Sequence, residues 1–124
     1  MLYNPAVAKS QELYQESPER DLEIVVELLE DYRFAFQENP VGSENLEIID
    51  QLLGNNPQRL VFIDPELAAL SPELELLDQW GSPYVFHPLT STAMEVISRG
   101  PDQTLWTADD LSFDLKEIEN HLQL

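Results

Sequence analysis

Asp78-Gln79-Trp80-Gly81-Ser82-Pro83-Tyr84 is the stretch on which the fold turns. Gly81 can take positive φ and reverse the chain, which a side chain would hinder. Pro83 forces Ser82 into an extended conformation, so a strand begins there. Trp80 supplies a large apolar face to cover the turn. From Pro83 to His87 and from Met94 to Ser98 the pattern reads as two strands, and the five or six residues between them predict a hairpin. The second strand then runs into Ser98-Arg99-Gly100-Pro101-Asp102, another glycine turn, and carboxylates return at Asp109 and Asp110.

Working back toward the N-terminus, the apolar period changes from strand to helix. Ser17 reads as an N-cap with Pro18 at the first helical position. Leu22, Val25, Leu29, Tyr32 and Phe36 then recur at spacings of three and four, which predicts one helix over residues 18–37. Glu23, Glu27, Glu30 and Asp31 fill its other faces, with Tyr32 and Arg33 as packing and snorkelling residues. Asn39-Pro40 and Gly42 end it. Ser43 is the expected cap of a second helix that turns Leu46, Ile49, Leu52 and Leu53 inward and stops at Gly54. Leu60 to Ile63 is a short apolar run with the length of a buried strand. Residues 64–79 read as an acidic loop, with a turn of helix starting at Pro72. Residues 1–17 read as a flexible or loosely docked helical segment. Leu115, Ile118 and Leu122 mark a closing helix over residues 112–124.

The expected fold class is therefore α+β: N-terminal helices packed on a small antiparallel β-sheet, followed by an acidic C-terminal loop and a short closing helix. At 124 residues one domain with one modest core is expected. Its parts are a helical part over 18–54, a β part over 58–111 and the C-terminal helix.

Composition removes several function classes. Six basic residues face 24 acidic ones, a formal net charge of −18, so phosphate backbones and anionic membranes are repelled. No nucleic-acid partner is expected; divalent cations and basic proteins are favoured. With no cysteine there is no disulfide framework, thiolate nucleophile or soft zinc cluster. No run approaches the roughly 18 to 20 apolar residues of a membrane span. The start, Met1-Leu2-Tyr3-Asn4-Pro5, lacks the basic and apolar regions of a secretory signal.

The two glycine-turn stretches together resemble the end of the major pseudopilins of type II secretion. That family carries Asp-Pro-Trp-Gly-x-Pro-Tyr, a strand pair, Ser-x-Gly-x-Asp-Gly and a closing Asp-Asp-Ile. The resemblance covers Asp78 to Leu111, a little more than a quarter of the chain. It implies a pilin-like, non-enzymatic structural or interaction domain with other secretion-system or pilin-like proteins as partners. It also implies calcium in the loop, with Asp102, Asp109 and Asp110 as carboxylate ligands and backbone carbonyls near Arg99 and Thr104. Two positions depart from the family: Gln79 stands where it has proline, and Gln103 where it usually has glycine. The family's long apolar N-terminal helix is also missing, and on this reading the natural protein carries a leader or anchor. That makes the expected location extracytoplasmic if one was trimmed, and cytoplasmic otherwise.

The loop's chemistry suits a hard cation apart from any family. Calcium accepts about six to eight oxygen ligands at roughly 2.3–2.6 Å in flexible geometry. It is not an EF-hand: Thr104 and Trp106 stand where that motif needs Asp or Asn, and its glycine is missing. The competing reading makes Asp109 and Asp110 helix caps and Asp102 a solvated turn residue.

No catalytic constellation emerges. His87 and His121 stand alone, with no nucleophile beside them, and read as structural or surface residues. The 24 acids make chance carboxylate pairs inevitable, and none has the isolation of a glycosidase pair. Trp80, Tyr84, Phe86 and Trp106 could line a groove but read first as core. The alternative to the pilin-like reading is an acidic adaptor or nucleic-acid mimic that binds a basic protein.

Overall fold

The computed structural model describes residues 2–104 and the backbone of a strand at 111–113. In chain order the elements are β1 (Leu2–Tyr3), α1 (Ala6–Ser10), α2 (Pro18–Phe36), α3 (Asn45–Leu52), β2 (Leu60–Val61), β3 (Val85–Thr90), β4 (Ala93–Ser98) and β5 (Leu111–Phe113). Helices and a small antiparallel sheet make this an α+β fold, as the sequence predicts.

α2 begins where its cap chemistry says. Ser17 is extended, Pro18 takes the first helical position, and the Ser17 Oγ accepts from the Arg20 amide at 3.1 Å. The helix ends with Gln37 in the left-handed region at φ +71, its N–H returning to the Arg33 carbonyl at 2.7 Å. The buried face is broader than the single stripe expected: Ile24, Val26 and Leu28 are fully enclosed alongside Val25 and Leu29. The reason is that α2 meets α1, β4 and β5, so more than one side is covered.

α3 differs from its expected phase. Its cap is Glu44, not Ser43, and Glu47 Oε1 accepts from the Glu44 amide at 3.1 Å, as in a capping box. Ile48, Ile49 and Leu52 are buried, while Leu46 is 47% exposed. Asn45 sets this rotation. Its side chain donates to the carbonyls of Leu76 (3.0 Å) and Tyr84 (2.8 Å) and accepts from the Leu76 amide (2.8 Å).

β3, β4 and β5 form a three-stranded antiparallel sheet in that order, with Val85 opposite Ile97 and Val96 opposite Phe113. The hairpin is tighter than expected, because the strands extend until only Ser91 and Thr92 lie between them. Asn39 serves as more than a helix stop. Its side chain donates to the carbonyls of Thr90 and Ala93 at 2.8 and 3.1 Å, pinning the hairpin to the end of α2. Arg33 holds Asn39 in turn, its guanidinium donating to Oδ1 at 2.7 Å.

Four further differences from expectation are local. Residues 112 and 113 belong to β5, not to a closing helix, because β4 offers them a free ladder; the rest of that expected helix lies outside the described residues. Pro72 starts only a turn, since Leu74 sits at φ +67. The apolar run from Leu60 is a strand only to Val61; Phe62 and Ile63 then turn their amides to the Leu52 carbonyl at 2.7 and 3.3 Å. Residues 2–17 are docked: β1 pairs in parallel with β2, and Ala6 and Leu13 join the core.

That core is one cluster. α2 and α3 supply half of it; Phe62, Ile63, Ala69, Leu76 and Tyr84 come from the segments between α3 and β3, and Phe86, Met94 and Val96 from the sheet. Tyr32 lies against Phe36 and Phe62 with ring centroids 4.6 and 5.5 Å apart.

Candidate functional site

The stretch at 78–84 and the loop after β4 are far apart in sequence but form one unit. Asp78, only 2% exposed, organises it. Its Oδ1 accepts from the amides of Trp80 (3.0 Å) and Ser82 (2.9 Å), which closes the turn around Gly81 at φ +86. Its Oδ2 accepts from Ser98 Oγ at 2.8 Å. A buried carboxylate needs such donors to offset the loss of water. The family-like words Asp78…Tyr84 and Ser98…Asp102 are thus joined through Asp78 and Ser98.

The loop is tied back a second time. Gln103 Nε2 donates to the Trp80 carbonyl, and Gln103 itself stands at φ +59. Positive φ is where glycine fits best, so a side chain at this position carries backbone strain. Gln79 also has a partner: its Nε2 donates to Asp21 Oδ2 at 2.9 Å.

Asp21 is fully buried in the first turn of α2, and sequence reasoning missed it. Its other oxygen, Oδ1, accepts from the Tyr14 amide at 3.0 Å. Tyr14 then reaches across with its hydroxyl, which donates to the carbonyls of Leu77 (2.8 Å) and Asp78 (2.7 Å). Burial together with the Asp78 and Asp21 carboxylates pushes the Tyr14 phenol up to about 12. The same causes, burial first, push Tyr84 up as well. One signal for Asp21 was in the sequence: with Val25, Leu28 and Tyr32 it follows helical spacing on the buried side.

The expected metal residues divide. Asp102 is exposed; its Oδ1 accepts from the Thr104 amide at 2.9 Å, and Thr104 Oγ1 donates to the Asp102 carbonyl at 3.2 Å. Arg99 is half-buried at the start of the same loop. Asp109 and Asp110 lie outside the described residues. Among the described residues no group of three or more His, Asp or Glu side chains is placed to hold a metal ion.

Of the aromatic candidates, Tyr84 and Phe86 are buried core residues and Trp80 is half-buried over the turn; Trp106 lies outside the described residues. His87 is exposed on β3, opposite Glu95 in register, with Nδ1 3.4 Å from its Oε1. His121 lies outside the described residues. Tyr32 and Arg33 pack as expected, and burial lowers the Arg33 guanidinium pKa. Among the described residues no helix is long and apolar enough to cross a membrane.

No protein-family model matches the chain, and no curated protein matches it. Among solved structures it is similar to the major pseudopilin from the type 2 secretion system of enterohaemorrhagic Escherichia coli. The TM-score is 0.40 and the identity 22%, over 85% of each chain.

Proposed function

We propose that this chain is a pilin-like structural and interaction domain, without catalytic activity, of a bacterial secretion or pilus-like system. The observation that supports this most is the joining of the two family-like stretches by Asp78, which bonds Trp80 and Ser82 on one side and Ser98 on the other. The partners on this reading are other pilin-like components, and the location is the cell envelope.

Calcium belongs to the same reading. Asp102 and the carbonyls of Arg99 and Thr104 offer hard oxygen donors in one tight turn, and Asp109 and Asp110 would complete the set. An ion held only by the folded loop stabilises the fold in proportion to RT ln(1 + [L]/Kd).

The test is thermal unfolding in calcium, magnesium and excess chelator at fixed ionic strength, beside a binding titration with the purified pseudopilin domains of the same organism. A Tm rise of several degrees with calcium alone, lost in Asp102→Ala and Asp109→Ala, is the expected result. Saturable association with a pseudopilin domain is expected as well. No calcium-specific shift removes the ion but leaves the interaction role. No association with any pilin-like component removes the role itself.

A further inference from the structure

Four carboxylates follow one another at helical spacing along α2, and the fold meets them unequally. Glu23 is exposed to water. Glu27 pairs with Arg20 at 2.9 Å and with Lys9 at 3.6 Å, and Asp31 takes the same Lys9 at 3.2 Å. Glu30 stands between them in the chain, and among the described residues no ion pair reaches it. It is half-buried, and its Oε1 is enclosed with no hydrogen-bond partner. A carboxylate oxygen so placed has given up water and gained no donor for its charge.

The cations near Glu30 are already engaged. Lys9 is held by the two neighbouring acids, and Arg33, three residues on, donates to Asn39 Oδ1 at 2.7 Å. Burial above all pushes the Glu30 pKa up from its ordinary 4.5; Arg33 draws it back, Glu27 and Asp31 raise it further, and Lys9 pulls least. Of the strands packed on α2, β4 carries one charged residue, Glu95, set 3.4 Å from His87, and β5 carries none.

We propose that Glu30 is a proton site built into α2: as the surroundings turn mildly acidic it takes up a proton before the exposed glutamates do, and the fold becomes more stable. The proton removes a charge that the enclosed oxygen cannot solvate and that Glu27 and Asp31 repel. The unfolded chain holds this proton less tightly. The contribution is therefore full below 4.5 and is lost as pH rises through the higher folded value. A salt-bridged carboxylate behaves in the opposite sense, adding stability as pH rises. The inference requires no ion or partner and stands apart from the pilin-like reading.

The test uses the full chain, ¹³C-labelled, beside Glu30→Gln and a control, Glu23→Gln, which removes the same charge at an exposed position of the same helix. As pH falls from about 7, the side-chain carboxyl carbon of Glu30 should shift before that of Glu23. Near pH 7, Glu30→Gln should melt roughly 2 °C or more above both the parent and Glu23→Gln, because the amide sheds the charge without a proton. Its lead over the parent should shrink as pH falls, since the parent then gains its own proton. A Glu30 carboxyl that titrates together with Glu23 overturns the proposal. So does a Glu30→Gln chain that melts no higher than Glu23→Gln, which would give any gain to the lower overall charge.

Discussion

Gln79 Nε2 lies 2.9 Å from Asp21 Oδ2, so a turn residue answers a buried carboxylate that is 58 positions earlier in the chain. Without it Asp21 would keep, among the described residues, the Tyr14 amide as the one donor to its side chain. The link fastens the first turn of α2 to the turn before β3, and Tyr14, in the segment before α2, doubles it through its hydroxyl.

Gln79→Ala should therefore destabilise the fold by about 1–3 kcal/mol, the cost of leaving a buried acceptor partly unmet. In urea unfolding, Gln79→Ala combined with Asp21→Ala should cost less than the sum of the single changes, since both remove one interaction. Strict additivity would show that the two side chains do not act together.

Asp78→Ala should be more damaging, about 3 kcal/mol or more, because it strips partners from the Trp80 and Ser82 amides and from Ser98 at once. Hydrogen exchange at the Trp80 and Ser82 amides should accelerate before the rest of the sheet opens. Unchanged protection at both would mean the turn holds without Asp78.

Gln103 separates backbone strain from side-chain bonding. Gln103→Ala loses the bond to the Trp80 carbonyl and keeps φ at +59, so it should destabilise by about 0.5–1.5 kcal/mol. Gln103→Gly loses the same bond but relieves about 1 kcal/mol of left-handed strain, leaving stability close to the parent. If both variants melt together, the conformation is not set by this residue.

Tyr14 carries a pH signature. Its folded pKa is raised from 10.0 to about 12, so folding favours the neutral phenol. That contribution is complete below pH 10 and is lost as pH climbs toward 12, because the unfolded chain ionises first. Stability should fall across that window, and less steeply in Tyr14→Phe. A spectrophotometric titration of the phenols that finds no group ionising near 12, or one unaltered in Tyr14→Phe, would sink the assignment.

The local signals proved dependable where one stretch of chain carries them complete. α2 starts at Ser17 and Pro18 and ends just before Asn39-Pro40, because caps and prolines act on their own neighbours. The hairpin between β3 and β4 follows from two adjacent apolar runs. α3 was harder: Leu46, Ile49, Leu52 and Leu53 describe one helical face, Ile48, Ile49 and Leu52 another, and periodicity alone does not choose. Asn45 chooses, by bonding to Leu76 and Tyr84, which no local pattern announces.

The sequence by itself determined the fold class, the turn at Gly81, and the formal net charge of −18. Only the tertiary structure decided that β1 finds β2, that Asp21 is enclosed, and that Gln79 and Gln103 tie the turn to its surroundings. The physical reason is range. A cap, a turn or an apolar period is set by residues within a few positions of one another. The worth of a buried carboxylate depends on donors that only packing brings within reach.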